Sequence, residues 1–187
     1  MKIANIKYFC TLNGDGIGIS LFATGCSRRC PGCIAKKYWD YNSGHEFNEE
    51  LFQKVLDKLE PSHISHLSLL GGEPMDPANV ETMAKIVRAV RERYGDTKKI
   101  WMWTGYLMKD VTGYEYEQDI DGIKDYEEVL KTSDCKFEYI PENEHSKYIL
   151  DNIDILIDGP FIQKLHKFGL HFKGSENQRL IYLKSKK

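Results

Sequence analysis

Three cysteines fall within eight residues of this 187-residue chain, in Cys26-Ser27-Arg28-Arg29-Cys30-Pro31-Gly32-Cys33. The spacing C-x-x-x-C-x-x-C lets one short loop turn three thiolates toward a point. Three thiolates hold three irons of a four-iron cluster, which ordinarily takes four, and leave one iron open to a ligand. The same residues also suit most of a tetrahedral zinc site, which wants four ligands. Cys10, His45 and Cys135 are the candidates for that fourth position. Incidental thiols are the third reading. The odd total of five cysteines argues against a disulfide framework and toward metal binding or redox chemistry in a reducing compartment.

Composition sets the frame. Lys and Arg number 26 against 28 Asp and Glu, a formal charge of -2, and 41% of residues are hydrophobic. This balance excludes a generally basic nucleic-acid surface. No apolar run is long enough to span a bilayer. The Met1-Lys2-Ile3-Ala4-Asn5 start lacks the apolar core of a signal peptide, so a cytoplasmic protein is expected. The length suits one domain.

The cysteine loop needs elements to hold it. Residues 3–10 and 17–24 are rich in β-branched and aromatic residues, and Asn13-Gly14-Asp15-Gly16 between them signals a turn. These predict two paired strands, the second leading into the cysteines. Leu51, Phe52, Val55, Leu56 and Leu59 repeat at helical spacing over 48–60, with Asn48 as N-cap and Pro61 beyond the end. A strand over 66–70 ends at Gly71-Gly72-Glu73-Pro74. Asp76 and Pro77 then predict the start of a second helix, with Val80, Met83, Ala84, Val87 and Val90 buried and Gly95 closing it. Strands follow at 99–103, 153–157 and 179–183. Alternating strand and helix imply an α/β fold with a mostly parallel sheet. Residues 107–150 are less regular, with weak helical character over 124–132, and are expected to be a peripheral insertion in a single domain spanning 1–187.

Gly71-Gly72-Glu73-Pro74 by itself is a turn. One βα unit after the cysteines, its glycines allow a ligand close to the backbone, and its carbonyls or Glu73 can accept from an ammonium group. An amino acid moiety chelating the open iron would meet both requirements.

These features together resemble the radical S-adenosylmethionine enzymes, and within them the activating proteins of anaerobic (class III) ribonucleotide reductases. The matching segments are Cys26–Cys33, Trp39, Gly71–Pro74, Trp103-Thr104-Gly105-Tyr106, Asp158-Gly159-Pro160-Phe161 and Ser175-Glu176-Asn177-Gln178-Arg179. Ile34-Ala35 departs from the Tyr-Asn usual in that family. The resemblance implies an incomplete (β/α) barrel in which Cys26, Cys30 and Cys33 hold one 4Fe-4S cluster. It implies S-adenosylmethionine on the open iron, lined by Gly32, Cys33 and Ile34, with Gly71, Gly72 and Glu73 toward its amine. Asp158 is a candidate for the ribose or a nearby cation, and Thr104 could join it; turn roles compete for both. The implied activity is reductive cleavage of S-adenosylmethionine to make a glycyl radical on the reductase large subunit, with electrons from a flavodoxin- or ferredoxin-like donor. No acid–base residue is required.

Rival readings are an activase of another glycyl radical enzyme, a 7-carboxy-7-deazaguanine synthase-like radical enzyme, and a non-enzymatic zinc or iron–sulfur binding module. Arg28 and Arg29 are expected as exposed loop charges, Tyr38 and Trp39 as packing under the loop, and Cys10 and Cys135 as inert buried thiols.

Overall fold

The alternating apolar runs become strands of one sheet in a computed structural model that describes residues 1–109, 112, 114–117 and 133–185. β1 (Lys2–Cys10) and β2 (Ile17–Ala23) pair antiparallel, with Ile3 opposite Ala23 and Cys10 opposite Gly18. β3 (His45–Glu46) adds a short edge to β1. α1 (Glu49–Leu59) starts where Asn48 accepts a hydrogen bond from the Leu51 amide at 3.0 Å, and buries Val55, Leu56 and Leu59. β4 (Ile64–Gly71), α2 (Val80–Tyr94) and β5 (Lys99–Trp103) follow, and Gly95 ends α2 at φ 56°. β6 (Glu115–Glu117), α3 (Glu144–Asn152), β7 (Ile155–Asp158) and β8 (Arg179–Tyr182) complete the described elements.

The sheet order is β3-β1-β2-β4-β5-β7-β8-β6. Its centre, β2-β4-β5-β7, is parallel, and both flanks are antiparallel. Parallel neighbours need crossovers, and the described helices α1, α2 and α3 occupy them. Period-two alternation divides the side chains between faces. Leu67, Leu69, Ile100, Met102 and Leu156 join the main core with α1 and α2. Trp101, Ile155, Ile157 and Leu180 cluster separately, with Trp103 and Phe172. Among the described residues no helix is long and apolar enough to cross a membrane.

Two expectations need correction. α2 begins at Val80, not at Asp76-Pro77. The Asp76 carboxylate accepts from the Ala78 amide in a turn, while its other oxygen is drawn to the cysteine loop, so 76–79 form a lead-in. Second, the segment read as irregular contains α3, announced by Asn143 and Ser146, which satisfy each other's amides as a capping box. The helical signal at 124–132 lies outside the described residues.

Arg91 joins α2 to the β7 approach. Its guanidinium donates to Asn152 O at 2.7 Å, Lys98 O at 2.9 Å and Asp154 Oδ2 at 2.5 Å, and Asp154 also accepts from the Ile100 amide. Removing one partner of such a largely buried pair strands the other. Arg91→Met is expected to lower unfolding free energy by about 3 kcal/mol, read by urea denaturation, with little change in slope.

Candidate functional site

Because β2, β4, β5 and β7 run parallel, their C-terminal ends lie along one edge of the sheet, where α/β proteins bind ligands. The cysteine loop, Gly71–Pro74, Thr104–Tyr106 and Asp158–Phe161 all emerge there. The cysteine loop reverses at three left-handed residues, Gly25 (φ 87°), Arg29 (φ 47°) and Gly32 (φ 75°). A Cβ on Gly25 would lie 2.2 Å from the Tyr41 ring, so glycine is required there. A single 3₁₀ turn at Lys36–Tyr38 returns the chain, and the Gly25 and Cys26 amides donate to the carbonyls of Tyr38 and Trp39. Tyr38 packs on Phe22 as expected of a residue under the loop.

Each of the three sulfurs has its own backbone donor, although they share a loop. Backbone amides of Arg29 and Arg28 face the Cys26 sulfur, the Phe161 amide faces Cys30, and the Ala35 amide approaches Cys33 Sγ at 3.4 Å. Burial pushes the Cys26 thiol up to about 11 and the Cys30 thiol up to about 12, with neighbouring negative groups adding to both shifts. Thiols in this state ionise readily only when a metal replaces the proton. Amide donors then stabilise the thiolates and tune a bound cluster. A set of three thiols with an amide at each sulfur fits an iron–sulfur cluster. Among the described residues no group of three or more His, Cys, Asp or Glu side chains gathers closely enough for a single metal ion.

Cys10 is not positioned to be a fourth ligand. It pairs with Gly18 at the start of β2, whereas Cys26 follows Ala23, roughly 17 Å further along at about 3.3 Å per residue. Instead it accepts from Asn13 Nδ2 at 3.6 Å. His45 is exposed on the edge strand β3. Cys135 is the thiol that comes near: it donates to Phe161 O at 3.2 Å and its acidity responds to Cys30.

Gly71 and Gly72 sit against the root of the cysteine loop. A Cβ on Gly72 would come within 2.3 Å of Gly25 O, and one on Gly71 within 2.6 Å of Ala23 backbone atoms. The Gly72 and Glu73 amides donate to Ala23 O and Gly25 O, both at 2.8 Å. Glu73 itself is 1% exposed. Its carboxylate accepts from the Met75 amide, the Thr104 hydroxyl and the Gly105 amide at 2.7–2.9 Å. Thr104 is therefore spent on Glu73. Asp158 is 0% exposed and is held by Arg179 at 2.9 and 2.5 Å and by the Met108 amide at 2.7 Å. Its place in the fold is that of a brace. Ile34 points outward, 88% exposed.

Several positions make contacts around the site that their local sequence does not announce. Asp76 Oδ2 accepts from the Ser27 and Tyr41 hydroxyls, each at 2.7 Å, and Asn79 Nδ2 donates to Thr24 O and Glu73 O. The β4–α2 loop thus grips the cysteine loop. A carboxylate four residues past the second glycine of a Gly-Gly turn was the available signal. Asn177 donates to Pro160 O and Gln178 to Gly159 O, so the two C-terminal motifs form one unit around Phe161. Arg28 is buried, contrary to expectation: its guanidinium stacks 4.5 Å from the Tyr106 ring and pairs with Glu138 at 2.5 Å.

Burial raises the Glu73 carboxyl to about 7, against the opposing pull of its hydrogen-bond donors. A carboxyl whose folded pKa exceeds its unfolded value binds more protons when folded. Stability therefore falls as pH rises from about 4.5 to 7. In metal-free protein, Glu73→Gln is expected to remove up to about 3 kcal/mol of this pH dependence, measured by denaturation at pH 5 and 7.5.

The matching family model is a 4Fe-4S single cluster domain, over residues 12–134 and 120–181. The anaerobic ribonucleoside-triphosphate reductase-activating protein of Vibrio cholerae is 31% identical, covering 89% of this chain and 88% of that protein. The proteins of the same name from Haemophilus influenzae and Enterobacteria phage T4 are 30% and 32% identical, covering 92% and 90% of this chain and 94% and 86% of their own lengths. The likeness thus runs through the cysteine loop, the strand-end turns and the C-terminal motifs alike, and the chain belongs to the family of anaerobic ribonucleoside-triphosphate reductase-activating proteins.

Proposed function

We propose that this chain is a radical S-adenosylmethionine enzyme that activates an anaerobic ribonucleotide reductase by placing a glycyl radical on its large subunit. The observation that carries the reading is the three-cysteine loop at the C-terminal edge of the parallel strands, with an amide facing each sulfur. Cys26, Cys30 and Cys33 hold one 4Fe-4S cluster. When bound, the cluster and S-adenosylmethionine would supply one-electron cleavage of a sulfonium–carbon bond and, with it, hydrogen abstraction from a glycine of the partner.

The protein's residues position that chemistry. Gly32 and the backbone at Cys33 and Ile34 form one wall for S-adenosylmethionine, and Gly71 and Gly72 bring a second backbone wall alongside. Glu73 shapes that wall from behind, because its carboxylate is shared with Thr104 and Gly105. Asp158 fixes the fourth strand end through Arg179. The central strands act as an incomplete (β/α) barrel within a single domain over 1–187, and the open side admits a loop of the partner. A flavodoxin- or ferredoxin-like protein in the cytoplasm delivers the electron.

Anaerobic reconstitution is expected to give about four irons per chain, cleavage of S-adenosylmethionine under reduction, and a glycyl doublet by electron paramagnetic resonance when the reductase large subunit is added. Ala at Cys26, Cys30 or Cys33 should abolish all three. Intact protein that takes zinc, no iron, and leaves S-adenosylmethionine uncut would overturn the reading.

A further inference from the structure

We propose that Arg28 is a positioning residue: its buried guanidinium clamps residues 133–140 onto the cysteine loop and is a fixed counter-charge for the cluster. This rests on the reading that Cys26, Cys30 and Cys33 hold that cluster.

Arg28 lies between two of the three cysteines and is 5% exposed. Such a cation needs partners that compensate its lost hydration. One nitrogen donates to Glu138 Oε2 at 2.5 Å, another to the Lys136 carbonyl, and the guanidinium lies 4.5 Å from the Tyr106 ring. Nε is buried without a hydrogen-bond partner. Glu138 is half-exposed, so it offsets the charge only in part. Burial raises both the Glu73 carboxyl and the Cys135 thiol, and the field of Arg28 reaches each and opposes that rise.

The clamped segment has two further fixings beside the cysteines. Leu107 and residues 138–140 exchange backbone hydrogen bonds at 2.9 Å. Cys135 donates to Phe161 O, and the same residue's amide faces the Cys30 sulfur. Residues 133–140 therefore form a flank of the cysteine loop, fastened there by a side chain from within the loop itself. Reduction adds one negative charge to a centre that already carries three thiolates. A nearby desolvated cation favours the reduced form, and the carboxylate paired with it opposes that effect.

Charge and clamp separate experimentally. In full-length reconstituted protein, the midpoint potential of the cluster is titrated by electron paramagnetic resonance. Arg28→Gln should move it more negative, and Glu138→Gln, which keeps the hydrogen bond but loses the charge, more positive. Arg28→Lys should stay near the parent. In metal-free protein, alkylation of Cys135 with a maleimide, resolved by peptide mass spectrometry, should quicken in both Arg28 variants by roughly tenfold, the size of one lost charge-assisted hydrogen bond. Assembled clusters whose potentials do not move, or move in the same direction for Arg28→Gln and Glu138→Gln, would overturn the counter-charge. If Arg28→Gln assembles no cluster, the sign of the Glu138→Gln shift decides. Unchanged alkylation would overturn the clamp. Failure of the parent to assemble any cluster would instead refute the functional reading, and the alkylation result would still decide the clamp.

Discussion

The buried carboxylate of Glu73 is the contact on which the rest of the site depends. It sits past the end of β4 and accepts from both Thr104 and Gly105, just past the end of β5. Its amide donates to Gly25, at the root of the cysteine loop, and its carbonyl accepts from Asn79. Three adjacent strand ends are thereby tied through one residue. A carboxylate removed from water needs every oxygen occupied, so its partners cannot drift without leaving it unsatisfied. The loops that follow these strands are short and irregular, and this requirement gives them a defined arrangement.

A second junction does the same at the fourth strand end. Asp158 and Arg179 face each other across the antiparallel β7–β8 pair, with Arg179 also donating to Met108 O. Asn177 and Gln178 take up the carbonyls that follow Asp158. The result is a rigid Gly-Pro-Phe corner whose amide meets a cysteine sulfur. The site is thus carried by polar contacts between loops, while the apolar core beneath them sets only where the strands end.

The sheet was legible because its signals are local. β-Branched and aromatic residues on either side of the Asn13–Gly16 turn marked β1 and β2, the helical stripe and Asn48 marked α1, and Gly95 marked the end of α2. The cysteine spacing was likewise complete within eight residues. What could not be read depends on contacts distant in sequence. Arg28 looked like surface charge because Tyr106 and Glu138 are invisible from its neighbours. Asp158 and Thr104 looked available to a ligand because their protein partners, Arg179 and Glu73, come from other elements. Asp76 resembled a helix cap, and it does order a turn, but Ser27 and Tyr41 claim its second oxygen. The short helix at Glu144–Asn152 has few apolar residues, so only its capping pair announced it.

The Phe161 amide has a consequence for how the protein is made. The three cysteines leave the ribosome before Phe161, and before Asn177 and Gln178 which hold its corner. A nascent chain can therefore display all three thiols while lacking the donor that faces Cys30. Synthesis proceeds from the N-terminus, so the complete sulfur environment exists only once residues 161–178 have followed the cysteines out, and metal loading into that environment belongs after that point.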